Sequence, residues 1–192
     1  MEGMAMSIQN KEILFICLVL IFLPYACIGT DSTAEYMDST MELSSDSFAD
    51  SSWIPEMYTC EGEDISPHLA WGELPDSTKS LALICDDPDA PMKTWVHWVV
   101  YHIPVSMTEL PEGMEDDPVL DSGIMQGTTD FGRTGYGGPC PPRGKPHRYF
   151  FTLYALDELP DLEPGATKKE LLKAMDGHIL GRGILMGTYQ RK

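Results

Sequence analysis

The stretch DPDAPMKTWVHWVVYHI, from Asp87 to Ile103, decides the fold. It sets a proline-locked turn, Asp87-Pro88-Asp89-Ala90-Pro91, against an apolar run, Trp95 to Ile103, that carries a histidine inside it. A second stretch, GPCPPRGKPHRYFFTLYAL from Gly138 to Leu156, repeats the arrangement, with prolines leading into a run opened by His147. Proline fixes φ and removes a donor, so such loops hold their shape without ligand and give up little entropy on binding. Two rigid turns at strand ends are expected to wall a preformed pocket. Its contents would be the Asp87 carboxylate, the His97 and His147 imidazoles, the Tyr149 hydroxyl and glycine backbone N–H groups, with Arg143, Lys145 and Arg148 close by.

Around these stretches the chain reads as strands and turns. Alternation from Trp95 to Ile103 places Trp95, His97, Val99, Tyr101 and Ile103 on one face. Lys79 to Cys85 and Arg148 to Leu156 read as further strands, and so does about Ile179 to Tyr189, where Gly181, Gly183 and Gly187 suggest bulges or close backbone approach. Fifteen prolines and seventeen glycines punctuate these runs, which indicates a mainly β protein, an antiparallel sandwich or barrel. One helix is expected at the periphery, opened by the capping box Thr167-Lys168-Lys169-Glu170 and stopped at Gly177. Between Glu109 and Asp121 lies an acidic, proline-flanked loop that either rims the site or is simply exposed.

The site residues each have an ordinary alternative. Asp87 precedes proline, so its backbone is pushed out of the α region and its carboxylate is free to accept from an imidazole or a backbone N–H; an Asx-type turn is the competing reading. His97, among tryptophans and valines, is by default a core histidine. Asp87 on the adjoining loop and His147 at the next strand start favour function, because imidazole donors beside a glycine loop form a cradle for an anion. Tyr149 shares a strand face with His147, and Pro91, Trp95, Gly138 and Pro142 would complete the rim. His97, His147 and Asp87 formally make a two-histidine, one-carboxylate metal set. A hydrolase would need a nucleophile, but no Gly-x-Ser-x-Gly occurs and neither stretch contains a serine. His68, His102 and His178 lie outside both stretches.

The two stretches resemble the signature regions of the phosphatidylethanolamine-binding protein family, and the chain is similar to its prokaryotic Raf-kinase-inhibitor-like branch. The likeness extends through Tyr58-Thr59-Cys60-Glu61-Gly62-Glu63-Asp64-Ile65-Ser66-Pro67-His68-Leu69-Ala70-Trp71 and Thr129-Asp130-Phe131-Gly132-Arg133-Thr134-Gly135-Tyr136, and covers residues 41–192. It implies an antiparallel β-sandwich with one or two peripheral helices, and a pocket that takes a small anion, phosphate or a phosphoryl head group. The implied ligand-binding residues are Asp87, Pro91, Trp95, His97, Gly138, Pro142, His147 and Tyr149, with Asp89 structural. Family members use this pocket without a metal or cofactor, and act as binding modules and as inhibitors of kinases or serine proteases. A binding protein is therefore expected, with a target protease as a candidate partner. The alternative is an extracytoplasmic hydrolase or metal-dependent enzyme using the histidine and aspartate pocket.

The N-terminus bears on location. Ile13 to Ile28 is an apolar run of sixteen residues preceded by Lys11, shorter than the ~20 residues of a spanning helix. Residues 1–28 read as a signal peptide cleaved near Ala26, a lipoprotein signal with the lipid on Cys27, or an uncleaved anchor. All three place the domain outside the cytoplasm, which argues against a kinase target. Residues 29–40 read as an acidic linker. From Asp31 to Thr78 there are twelve acidic residues and no lysine or arginine, within a net charge of −17, so nucleic acid is excluded as a partner. Of five cysteines, Cys85 reads as a core residue, while Cys60 and Cys140, both in turn-rich loops of an exported chain, are expected to form a disulfide. An exposed apolar sheet face would permit a homodimer.

Overall fold

The apolar runs pair side by side in a computed structural model that describes residues 39–192. The signal or anchor segment, Cys27 and the linker up to residue 38 lie outside the described residues. In chain order the strands are β1 (Ser39–Thr40), β2 (Leu43–Ser44), β3 (Ser52–Trp53), β4 (Leu69–Trp71), β5 (Ser80–Asp87), β6 (Trp95–Ile103), β7 (Glu109–Leu110), β8 (Met125–Gln126), β9 (His147–Leu156) and β10 (Ile179–Tyr189). The larger sheet runs β1-β10-β9-β5-β6-β8, with β3 also on β10, and a three-stranded sheet runs β2-β4-β7.

Core packing explains the strand sequences. On one face of the larger sheet Leu81, Leu83 and Cys85 of β5 and Tyr149, Phe151 and Leu153 of β9 pack with Leu43, Leu69, Trp71 and Leu110 from the smaller sheet. On the other face Ala82, Ile84, Val99 and Tyr101 pack under Leu171 and Met175 of helix α1 (Lys168–Met175). Both faces of the central strands are thus buried, which is why β5 is nearly continuous in apolar residues instead of alternating. Helix α1 starts at the expected capping box: the Glu170 N–H donates to the Thr167 side chain, and the Glu170 carboxylate accepts from the Thr167 N–H at 2.8 Å. It is the one α-helix among the described residues, beside a 3-10 turn at Glu56–Tyr58.

Two expectations change. The sandwich is mixed, because β1 and β3 pair parallel to β10. The chain leaves β1, contributes β2 to the smaller sheet and returns to β10 as β3. Glycines in β10 make room for this crossing: a Cβ on Gly187 would stand 2.4 Å from Ile54 Cγ1, and one on Gly183 would stand 2.8 Å from the Met41 carbonyl. The second change concerns β6, which does not keep one face. Cys85 pairs with Trp98 but Asp86 with Val96, and Leu81 pairs with Ile103 but Leu83 with Val100, so β6 carries an extra residue at each place. These are β-bulges, which turn a strand and re-aim its side chains. Val99 and Tyr101 go to the helix side, Ile103 returns to the inter-sheet core, and His97 is the extra residue of the first bulge.

Cys60 and Cys140 are joined by a disulfide with a Cα–Cα distance of 5.4 Å, across a sequence separation of 80 residues. Closing so long a loop restricts the unfolded chain, an effect worth about 2–4 kcal/mol. The paired change Cys60→Ser with Cys140→Ser should lower Tm by about 4–16 °C in calorimetry, at roughly 2–4 °C per kcal/mol for a domain of this size. A Tm unchanged by the double substitution would mean that the loops hold themselves without the bond.

Candidate functional site

The ends of β5, β6 and β9 meet the two proline loops around a cavity of about 260 Å³. Its lining is Asp87, Ala90, Pro91, Trp95, His97, Phe131, Cys140, Pro141, Pro142, His147 and Tyr149. Seven of the eight residues singled out from the sequence are brought together here. Gly138 is not. Its N–H donates to Asp64 Oδ1 at 2.7 Å, and a Cβ there would stand 2.4 Å from the Tyr58 carbonyl oxygen. Glycine is needed for close packing of two loops and has no N–H left for a ligand.

Asp87 is the best-partnered group in the cavity wall. Only 3% exposed, it accepts the Asp89 N–H at Oδ1 (2.8 Å) and the His147 Nδ1–H at Oδ2 (2.7 Å). Both sequence readings hold at once, since the carboxylate closes an Asx turn and binds an imidazole. His97 enters by its bulge. Its Nδ1 lies 2.6 Å from the Gly137 carbonyl oxygen, which can only accept, so Nδ1 carries the proton. In return the Gly137 N–H donates to the His97 carbonyl at 2.9 Å. The ring meets Phe131 and Tyr149 edge-on, with centroids 5.3 and 5.1 Å away. Burial holds the His97 pKa below the usual histidine value, against the opposing pull of the Gly137 hydrogen bond and the Asp87 charge.

Tyr149 projects from β9 on the same face as His147; its buried hydroxyl makes no hydrogen bond of full geometry but lies within weak hydrogen-bonding reach of the Asp87 carboxylate. Burial, with the nearby Asp87 charge, raises its pKa well above the ordinary phenol range, so it stays a donor. A buried hydroxyl is costly unless an acceptor is at hand, and the Asp87 carboxylate is the acceptor beside it.

The cations expected near the pocket are placed elsewhere. Arg148 makes a two-pronged pair with Asp89, Nε to Oδ2 and Nη2 to Oδ1 at 2.8 Å each, and its hydrogen bonds pull the Asp89 pKa down to about 2. Asp89 is structural, fastening the first proline loop to β9. Arg143 and Lys145 do not line the cavity. Lys93 pairs with Asp130 at 2.6 Å, and Asp130 also accepts the Val96 N–H. The acidic loop after β7 is not a rim either; the Gln126 side chain, held by Trp98, donates to the carbonyls of Glu115 and Asp117. The formal metal set does not assemble, because Asp87 is committed to His147, and among the described residues no three His, Cys, Asp or Glu side chains converge on a metal site.

Sequence reasoning missed Phe131, which packs edge-on against both Trp95 and His97. An aromatic inside the glycine-rich turn Asp130-Phe131-Gly132 was the available signal.

The neutral state of His97 has a pH signature. The unfolded chain takes a proton near pH ~6.5 that the folded chain refuses until lower pH, so stability is full above that value and falls as pH drops below it. Urea unfolding from about pH 7 to pH 5 should therefore show a steeper loss for the native chain than for His97→Gln. Parallel pH dependence in the two would place the titration elsewhere.

Comparison with known proteins adds a family. The family model described as Phosphatidylethanolamine-binding protein matches residues 44–190. A UPF0098 protein of Methanothermobacter thermautotrophicus is 55% identical over 79% of this chain and 99% of its own length. One from Pyrococcus horikoshii is 46% identical over 96% of this chain and 92% of its own. Among solved structures, a putative phosphatidylethanolamine-binding protein homologue, CT736 of Chlamydia trachomatis, is similar with TM-score 0.73 and 41% identity, covering 80% of this chain and 99% of that one. YbcL of E. coli, described as a member of the mammalian PEBP family, is similar with TM-score 0.75 and 31% identity, covering 80% of this chain and 100% of its own.

Proposed function

The chain belongs to the phosphatidylethanolamine-binding protein family, which binds small ligands such as phospholipid head groups, and from that premise we propose that its cavity takes a small phosphoryl anion. Free phosphate and the head group of a phosphate ester share this chemistry. The observation that carries the reading is a compact cavity walled by the two proline loops and lined by the His97 and His147 imidazoles, with His147 oriented by Asp87. At about 260 Å³ the cavity is smaller than the ~300–1,000 Å³ of sites for drug-sized ligands, which suits a compact group.

Hydrogen-bond accounting gives the binding its pH dependence. His97 and His147 both spend Nδ1–H within the protein, on the Gly137 carbonyl and the Asp87 carboxylate. In their neutral forms each has only a lone pair at Nε2 to offer. An anion gains a charge-assisted donor when His97 takes up a proton, at a pH that burial puts below the usual histidine value. The disulfide and the apolar N-terminal run support placing this binding outside the cytoplasm.

Dimethyl phosphate is the cleaner probe, because its single charge does not titrate. Its affinity by calorimetry should fall as pH rises from the acid side towards the usual histidine value, by up to about tenfold per pH unit, with proton uptake on binding. Tyr149→Phe should weaken it about fivefold, the worth of one net hydrogen bond, as the hydroxyl turns from Asp87 to the ligand on binding. Unaltered affinity in Tyr149→Phe and across pH would move the anion away from this cavity.

A further inference from the structure

We propose that His147 is a phosphoryl acceptor, its Nε2 forming a covalent phosphohistidine with a small acyl phosphate that enters the cavity. This rests on the phosphoryl-anion reading above and adds a reaction to it. The geometry distinguishes His147 from every other histidine described. Its Nδ1–H is held at 2.7 Å by a carboxylate that is almost wholly buried, so the neutral ring has its lone pair on Nε2, the nitrogen left for the cavity that the ring lines. A carboxylate-oriented imidazole of this kind serves as base or nucleophile, because the negative charge balances the positive charge that the ring acquires. His97 lacks that balance. Its Nδ1–H is held by a neutral carbonyl, and burial opposes a charge on it.

The step balances without a metal or an oxidant. The Nε2 lone pair forms the N–P bond as the P–O bond to the acyl group breaks, and the carboxylate leaves with that electron pair. Nδ1 keeps its proton on Asp87, so the product is a phosphoimidazolium paired with a carboxylate. The Tyr149 ring walls the site on the same strand face as His147. The wall of Trp95, Phe131, Pro141 and Pro142 limits water beside the new bond, which favours its persistence.

Solvent exposure alone makes the opposite forecast, and that provides the test. His178 is a half-buried histidine near the surface that also contacts a carboxylate, Asp157 at 2.9 Å, whereas His147 is 8% exposed. The full-length chain is incubated with acetyl phosphate, and acid-labile phosphoryl groups are mapped by peptide mass spectrometry under conditions that preserve phosphohistidine. Binding of inorganic phosphate is measured on the same sample by calorimetry. His147 should be modified faster than His178 by about tenfold or more, and inorganic phosphate should slow it, while His178→Gln leaves the His147 rate unchanged. Modification at His178 ahead of His147, or none at His147, overturns the proposal. If inorganic phosphate nevertheless binds, the anion reading stands and only the reaction falls; if it does not bind either, both fall.

Discussion

The site depends on one buried carboxylate. Asp87 ends β5 in an almost dry position, where an unpaired charge would cost several kcal/mol. Its two oxygens are therefore both engaged, one by the turn that follows and one by His147 on β9. That double engagement ties the first proline loop to the start of β9, selects the tautomer of the imidazole and fixes which ring nitrogen is left over. Asp89, two residues on, does the outer half of the same task, pairing with Arg148 at the surface. Asp86, between β5's last two faces, turns the other way and pairs with Lys168 at the start of the helix. Three neighbouring carboxylates thus have three different duties, assigned by strand alternation and burial.

The second proline loop is held by different means. Gly137 is locked to His97 in both directions, Gly138 to Asp64, Tyr136 to the Tyr58 carbonyl at 2.9 Å, and Cys140 to Cys60. Each bond alone is modest, but together they leave the wall formed by Cys140, Pro141 and Pro142 little freedom to collapse into the cavity. A wall already in place before a ligand arrives lowers the entropy lost on binding.

Much of this was legible in the sequence, for reasons that are local. The strand Trp95–Ile103 and the capping box at Thr167 are set by patterns within a few residues, and the structure places both where the pattern does. The gathering of His97, His147, Asp87 and Tyr149 was legible from strand ends next to rigid turns taken together with the family resemblance. What was not legible is set by partners distant in sequence. A bulge is a mismatch between two strands, and β6 alone does not reveal that Cys85 and Asp86 will skip over His97. Gly138 looked like a backbone donor until Asp64 took its N–H, and the parallel edge pairs of β10 depend on where residues 39–53 travel. The cations near the second loop misled for the same reason, since Arg148 was already engaged by Asp89.

The edge arrangement of β10 has a consequence for synthesis. Its parallel neighbours β1 and β3 come from the start of the described chain and β10 itself from its end, with the two glycines admitting the crossing. Pairings of such sequence separation carry a high closure entropy and form late. On a ribosome the residues of β1 and β3 emerge first, yet they wait without their sheet partner until nearly the whole chain has followed. The central pairs β5–β6 and β5–β9 do not need β10, so the edge strands β1 and β3 are the part of the sheet that a growing chain leaves open longest.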